Sequence, residues 1–127
     1  MSITVTYSET RILQKVSLIW ISDGSGNASG VTKKLSGKVL RAVFIPSIID
    51  VPTEGYTVKI LDADGVDILV GYGLAGLSAT ITRSVVPMEL NTAGTPAFPF
   101  SIDGALTITI SGGGNIKSGT VSLYIER

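Results

Sequence analysis

Apolar residues recur at every second position through most of this chain, in short runs rich in Val, Ile and Thr. This period is that of a β-strand, whose successive side chains point to opposite faces, and the same residue types favour strands. No segment shows a convincing helical period. In TVSLYIER at 120–127, for example, Val121, Leu123 and Ile125 alternate with more polar neighbours and predict a half-buried strand.

Nine strands are predicted on this basis, with glycine-containing turns between them. Their ranges are 3–7, 15–22, 38–45, 56–62, 67–72, 84–90, 99–102, 106–111 and 120–126. Short strands at regular spacing predict an all-β fold, an antiparallel β-sandwich that is jelly-roll-like or Ig-like, with little or no helix. The length of 127 residues suits one domain over 1–127, in which residues 1–11 are a candidate N-terminal arm.

Three stretches support more specific predictions. The glycine-rich SGGGNIKSG joins strands 106–111 and 120–126 and predicts a hairpin between them. KVLRAVFIP at 38–46 is apolar on both faces except for Arg41, which indicates a central strand or one that meets another subunit. Trp20 is the only tryptophan, and we interpret it as a core anchor, with an interface or ligand platform as the alternative.

The composition excludes several classes of function. Ten basic and ten acidic residues give a formal net charge of zero, so the basic surface typical of proteins that bind nucleic acid or anionic membranes is not expected. No cysteine or histidine is present, which removes disulfides, thiol nucleophiles, Ser-His-Asp triads and the commonest metal ligand. No long apolar helix and no signal peptide is evident, so synthesis in a cytoplasm is expected.

The stretch LDADGVD at 61–67 is the nearest approach to a chemical motif. Asp62, Asp64 and Asp67 are weak calcium candidates, because hard cations take several oxygens from one short segment. A helix-loop-helix calcium loop would place its glycine sixth, whereas Gly65 comes fourth here. We therefore interpret DADG as the tight turn of a hairpin that joins YTVKIL to VDILVGY.

No catalytic residue and no cofactor are predicted. Paired carboxylates for glycoside cleavage would have to come from Asp50, Glu54, Glu89 or Asp103, and most acidic residues stand next to turn glycines or prolines. We therefore expect that the chain is not an enzyme. A cleft in which these carboxylates cluster with shifted pKa values would contradict this expectation.

Low charge suggests that part of the surface is covered in an assembly. Charged residues make up 16% and hydrophobic residues 44% of the chain, so a bare monomer would tend to associate. The loop IPSIIDVPTEGY at 45–56 is a candidate contact loop because its isoleucines lie between prolines. The predicted interface residues are Ile45, Ile48, Ile49 and Val51 in this loop and Ile3, Val5 and Tyr7 in the N-terminal arm, which would pair with a neighbour's sheet edge.

Three stretches together resemble small structural proteins encoded by tailed bacteriophages: VSLIWISDGSGNASG, PTEGYTVKILDADGVDILVG and IDGALTITISGGGNIKSGTVSLYIER. The resemblance is one of layout over nearly the whole chain and includes no diagnostic motif. It implies a virion component, most specifically a decoration or cement protein of the capsid, commonly a trimer at local threefold positions. A tail, baseplate or head-fibre component is the alternative, and a carbohydrate-binding module for host attachment is the second alternative.

These considerations lead to one set of expectations. The protein is located in the virion and made in the cytoplasm of the bacterial host. Its partners are copies of itself, as a homo-oligomer with the trimer favoured, and the major capsid protein. Neither nucleic acid nor membrane is an expected partner.

Overall fold

The computed structural model describes residues 2–74, 76–90 and 96–127, with the backbone alone for 89–90 and 96–100. Within these residues it contains ten strands and one short 3-10 helix, Tyr72–Leu74. The strands are β1 (Ser2–Glu9), β2 (Leu13–Ile21), β3 (Ala28–Val31), β4 (Leu35–Pro46), β5 (Thr57–Leu61), β6 (Arg83–Val85), β7 (Met88–Leu90), β8 (Pro96–Gly104), β9 (Thr107–Ser111) and β10 (Ser118–Glu126). None of the described helices has the length and hydropathy needed to cross a membrane.

The strands form two antiparallel sheets. The larger has the order β1-β2-β10-β4-β8-β7, with β6 also paired to β4. The smaller has the order β3-β9-β5. Strand β4 is long enough to pair with β8 through Leu35–Val39 and with β6 through Ala42–Phe44, while β10 lies along its other side. It is therefore a central strand, as the doubly apolar sequence of KVLRAVFIP indicated.

The core lies between the two sheets. Alternate residues of β2 and β10 contribute Val16, Leu18, Trp20, Val121 and Leu123, all fully buried. The smaller sheet contributes a matching set on its inner face, namely Val58, Ile60, Ile108 and Ile110. The predicted antiparallel β-sandwich is thus confirmed, and Trp20 is a core residue.

The predicted hairpin between strands 106–111 and 120–126 is wrong. Strand β9 pairs with β3 and β5, whereas β10 pairs with β2 and β4 in the other sheet. The glycine-rich segment between them crosses from one sheet to the other. The buried Ser22 fixes this crossing, because its hydroxyl donates to the Gly114 carbonyl at 2.6 Å and accepts from the Lys117 N–H at 2.9 Å.

The predicted strand at 67–72 is also wrong beyond its first residue. Asp67 makes one bridge to Leu61, after which the chain turns into the 3-10 helix. The Asp67 carboxylate accepts from the N–H groups of Leu69 and Gly71 at 3.1 Å each, and Val70 has a positive φ of 52°. These local bonds hold the backbone out of the extended conformation.

Residues 2–9 are not a detached arm. They form β1, which pairs with β2 in continuous register from Ser2↔Ile21 to Glu9↔Gln14. No strand was predicted between 22 and 38, whereas Ala28–Val31 forms β3. Glycine and serine interrupt the apolar alternation in ASGV, so the local sequence does not indicate a strand. The strand forms through its pairing with β9.

Candidate interaction surface

The loop that follows β4 presents two isoleucines to solvent. Ile48 is 92% exposed and Ile49 is 86% exposed. Their loop is held in place by Ser47, whose hydroxyl accepts from the N–H groups of Ile49 and Asp50 at 3.2 and 3.1 Å. The backbone of Ser118 adds further bonds, to Ser47 and Asp50 at 3.2 and 3.0 Å. The isoleucines are therefore displayed on an ordered loop.

A second serine turn lies beside this loop. The Ser78 hydroxyl accepts from the N–H groups of Thr80 and Ile81 at 3.2 and 3.0 Å, and Ile81 is 69% exposed. The Glu54 carboxylate joins the two segments by accepting from the Ala79 N–H at 2.7 Å. We call Ile48, Ile49, Val51 and Ile81 the loop patch.

Two shallow grooves border the loop patch. One, of about 190 Å³, is lined by Pro46, Ser47, Ile48, Val51, Ala79 and Thr80. The other, of about 360 Å³, is lined by Ile19, Ile45, Pro46, Ser47, Ile48, Ser118, Gly119 and Thr120. No lining residue of either groove is charged, and Ile48 borders both. Such a surface is suited to apolar contact with another protein.

The seven predicted interface residues separate into two groups. Ile45, Ile48, Ile49 and Val51 are all exposed, Ile45 at 38% and Val51 at 39%. Ile3, Val5 and Tyr7 instead lie partly buried against the core of their own chain. Pairing of β1 with β2 turns these three side chains toward the sandwich interior, and their contact with a neighbouring molecule stays a prediction.

Tyr7 and Glu9 also anchor β1 to the segment that follows β3. The Tyr7 hydroxyl accepts from the Lys33 N–H at 2.9 Å, and the Lys33 ammonium lies 4.3 Å from the Tyr7 ring centroid. The same ammonium bonds the Glu9 carboxylate at 2.8 Å, which lowers the pKa of that carboxyl. The outer edge of β1 has no partner strand among the described residues, so edge pairing with a neighbour stays a prediction.

Sequence analysis missed Ile19, Ile21 and Ile81, which are 44%, 42% and 69% exposed. A signal was available for the first two, since VSLIWIS is apolar on both faces, and such strands are commonly covered on both faces. The exposure of Ile81 depends on the Ser78 turn, and ITRS carries no pattern that predicts it.

Asp62 and Asp64 lie in the predicted turn, whereas Asp67 lies beyond it, and the second strand of the predicted hairpin is reduced to the bridge between Asp67 and Leu61. The Asp62 carboxylate accepts from the N–H groups of Asp64 and Val66 at 2.9 and 3.0 Å, and the Gly65 N–H bonds the Asp62 carbonyl. The Asp67 carboxylate caps the next turn, as described above. Among the described residues no three potential metal-ligating side chains of the His, Cys, Asp or Glu type converge. The oxygens of Asp62 and Asp67 are thus directed at backbone N–H groups.

The carboxylates considered for catalysis lie in different places. Asp50 and Glu54 belong to the loop after β4, where Glu54 holds Ala79, and Asp103 is exposed on β8. The side chain of Glu89 lies outside the described residues. The pKa of the buried Tyr56 is raised to about 12 by burial, but this side chain lies in the core, with its ring centroid 5.3 Å from that of Trp20.

Comparison with known proteins adds little. No protein-family model matches the chain, and no curated protein matches it. Among solved structures, the chain is similar to a cupin domain from Bordetella pertussis Tohama I. The two share 10% sequence identity at a TM-score of 0.42, over 99% of this chain and 94% of that one.

Proposed function

We propose that this protein is a non-enzymatic structural component of a bacteriophage virion, most specifically a capsid decoration protein that works as a homo-oligomer. The observation that carries the proposal is the loop patch, in which ordered serine turns hold large aliphatic side chains in solvent. Ile48 and Ile49 are 92% and 86% exposed on this fixed loop. The free energy therefore falls when another protein covers them.

The mechanism is burial of apolar surface at joints between capsid subunits. Complete burial of one isoleucine contributes about 1.5–3 kcal/mol. One loop patch would give only a modest affinity after the costs of association. Repetition over a lattice, with two or more patches linked in each oligomer, raises the total through effective concentration. A decoration protein of this kind needs neither a metal nor a catalytic group.

The first test compares particles of the encoding phage made with and without the gene, by electron cryo-microscopy. We expect density on the outside of the head, at subunit joints, only when the gene is present. Density confined to the tail, baseplate or head fibre would contradict the capsid assignment and favour the alternative. Absence of the protein from purified particles would contradict the virion role as a whole.

The second test adds purified protein back to particles that lack it. Ile48→Asp combined with Ile49→Asp should weaken binding by about 100-fold or more, because the two side chains together are worth at least about 3 kcal/mol. The matched control is Ile12→Asp, an exposed isoleucine in the turn at the opposite end of the sandwich. Equal binding by the double variant and the control would exclude the loop patch as the contact.

A further inference from the structure

The chain contains three Asp-Gly dipeptides, at 23–24, 64–65 and 103–104. In this dipeptide the backbone nitrogen of the glycine can attack the carboxyl group of the aspartate, because glycine has no side chain that obstructs the approach. The attack requires a protonated carboxyl group and a backbone that is able to turn. The structure places the three dipeptides in different surroundings, so they should differ in reactivity.

The carboxylate of Asp23 is engaged in hydrogen bonds. One of its oxygens accepts from the N–H groups of Ser25 and Asn27 at 2.9 and 3.0 Å. The N–H groups of Asn27 and Ser25 thereby hold the pKa of this carboxyl below its usual range. The attack needs the neutral acid, because an ionised carboxylate has no leaving group. These bonds therefore oppose the reaction at Asp23.

The second dipeptide, Asp103 and Gly104, lies in β8 and pairs with Ser36 and Leu35 of β4. The reaction requires rotation about the bond between Cα and the carbonyl carbon of the aspartate, which brings the glycine nitrogen to the carboxyl carbon. Pairing with β4 holds this bond in the extended conformation. A β-carbon at position 104 would also lie 3.3 Å from Cβ of Ala63, so the end of the strand packs against a neighbouring turn.

The third dipeptide, Asp64 and Gly65, is exposed in the turn after β5. The Asp64 carboxylate accepts no hydrogen bond from the described residues, and only its backbone N–H is bonded, to the Asp62 carboxylate at 2.9 Å. Apart from the chain neighbours, no atom lies within 4 Å of the position that a β-carbon would take at Gly65. The Gly65 N–H donates to the Asp62 carbonyl at 3.1 Å, and this one exposed bond is all that the reaction must break.

We propose that Asp64 is a site of spontaneous modification, at which the backbone nitrogen of Gly65 converts the aspartate into isoaspartate. The nitrogen attacks the protonated carboxyl group and forms a bond with Cγ of Asp64. The bond between Cγ and the hydroxyl oxygen breaks, and this hydroxyl leaves with the N–H proton as water. The product is a five-membered succinimide ring, which forms without an oxidant, a metal or an enzyme.

Water then opens the ring at one of its two carbonyl carbons. Addition at Cγ restores aspartate. Addition at the main-chain carbonyl carbon of Asp64 breaks the bond between that carbon and the Gly65 nitrogen. The main chain then runs through Cβ and Cγ, and the former main-chain carbonyl becomes a free carboxylate. The product is isoaspartate, whose mass and formal charge are those of aspartate.

Isoaspartate lengthens the main chain of the turn by one methylene group. Asp62 closes this turn in two ways: its carboxylate accepts from the Val66 N–H at 3.0 Å, and its own N–H donates to the Val66 carbonyl at 2.9 Å. A longer connection between Asp62 and Val66 weakens both bonds. The modified chain should therefore melt at a lower temperature.

The turn is distant from the loop patch. Ala63 in the turn lies beside Gly104, which pairs with Leu35 at the start of β4, whereas the loop patch follows Pro46 at the end of the same strand. The inference therefore goes beyond the proposed function and does not depend on it. In a virion, whose proteins are not replaced after assembly, isoaspartate would accumulate with the age of the particle.

The test is storage of the full chain in mildly acidic buffer, followed by tryptic digestion and liquid chromatography with mass spectrometry. Trypsin cleaves after lysine and arginine, and it places the three dipeptides in separate peptides, 16–33, 60–83 and 84–117. Isoaspartate gives a second chromatographic peak of the same mass. This peak should grow at least about 10-fold faster for peptide 60–83 than for 16–33, where a hydrogen bond to a charged group must break first. Peptide 84–117 should also change more slowly.

The control is the same chain unfolded in guanidinium chloride, in which the three dipeptides no longer have different surroundings. All three peptides should then change at similar rates. If peptide 16–33 or 84–117 of the folded chain changes as fast as 60–83, the inference is overturned. It is also overturned if folded 60–83 shows no second peak after the unfolded chain has been converted.

Asp64→Glu is the matched variant, because glutamate keeps the charge but would have to close a less favourable six-membered ring. Peptide 60–83 of this variant should show no second peak, and its melting temperature should be the same before and after storage. The wild type should lose melting temperature as its peak grows. A second peak that persists in Asp64→Glu would assign the reaction to Asp62 or Asp67 and contradict the proposal.

Discussion

Gly119 lies directly opposite Trp20 in the pairing of β2 with β10, and the space that its missing side chain leaves is occupied by the indole ring. A β-carbon at position 119 would lie 2.8 Å from Cζ2 of the ring and 2.9 Å from Nε1. Gly113 belongs to the segment that crosses between the sheets. A β-carbon at position 113 would lie 3.0 Å from Cζ3 of the same ring. The largest core side chain is thus accommodated by two glycines.

Gly119→Ala should therefore destabilise the protein by about 1–3 kcal/mol, because the added methyl overpacks a fully buried ring. Glycine to alanine in a strand would otherwise be neutral or stabilising. The control is Gly24→Ala, where a β-carbon would meet only Asn115 Oδ1 at 3.8 Å. Urea denaturation of the three proteins measures the difference, and equal midpoints for Gly119→Ala and wild type would contradict the packing described.

Tyr56→Phe should not destabilise the protein at neutral pH, and it should change the alkaline limit of stability. The buried Tyr56 hydroxyl has no hydrogen-bond partner among the described residues, so its removal forfeits no bond and leaves no unpaired group.

The sign of the pH effect follows from burial, which raises the Tyr56 pKa to about 12 in the folded state from about 10 in an unfolded chain. Above pH 10 the unfolded state releases this proton more readily, so stability is constant below pH 10 and falls between pH 10 and 12. Tyr56→Phe has no hydroxyl to ionise, so it does not show this loss of stability between pH 10 and 12. Urea midpoints at pH 8, 10 and 11 should show a shallower alkaline fall for the variant, and parallel curves would count against a buried, un-ionised hydroxyl.

Ile116→Asn should stabilise the protein by about 1 kcal/mol, since a β-branched residue in the left-handed region is strained and asparagine tolerates that conformation. Ile116 has a φ of 51° and a side chain that is 63% exposed, so little packing is lost. Ile48→Asn makes the same exchange on an exposed loop where φ is not positive. Thermal melts should show a gain for the first variant alone. A gain of the same size in both variants would mean that lower surface hydropathy, and not relief of backbone strain at position 116, stabilises the protein.

Asp67→Ala should destabilise the protein by about 1–3 kcal/mol, because it leaves the N–H groups of Leu69 and Gly71 without their acceptor. Asp64→Ala should be nearly neutral, since only the backbone N–H of Asp64 takes part in the turn. The melting temperature of the wild type should be the same in calcium and in chelator. A rise with calcium that Asp62→Asn abolishes would reinstate LDADGVD as a metal site.

Sequence alone predicted the faces of strands better than their partners. The alternation of Val121, Leu123 and Ile125 correctly marked the buried face of β10, because burial follows from local period. It could not indicate that β10 lies between β2 and β4, since pairing between distant strands is set by the whole core. The hairpin error has this origin, as a glycine-rich connection fits a hairpin and a crossing equally well.

For the candidate contact residues, too, the sequence predicted what depends on local pattern and missed what depends on strand pairing. Ile48 and Ile49 lie between prolines, which identified an exposed loop, whereas Ile3, Val5 and Tyr7 follow a period of two that already indicated a half-buried strand. The uncharged cross-strand rows on the outward face of the larger sheet were not predictable from the sequence, because they combine residues from four strands. Only the register of those strands brings Thr4, Ile19, Thr120 and Ile45 into line.

The position of β10 between β2 and β4 has a consequence for the order of folding. Strands β2 and β4 do not pair with each other, so each keeps an open hydrogen-bonding edge until β10 inserts between them. Closing the long loop between residues 21 and 118 makes this a slow step, as expected for a topology dominated by distant pairings. A chain in which β10 has not yet inserted exposes two strand edges rich in valine and isoleucine, and such chains at high concentration can join one another there. Yield on refolding should therefore depend on protein concentration even though the finished sandwich has those edges paired.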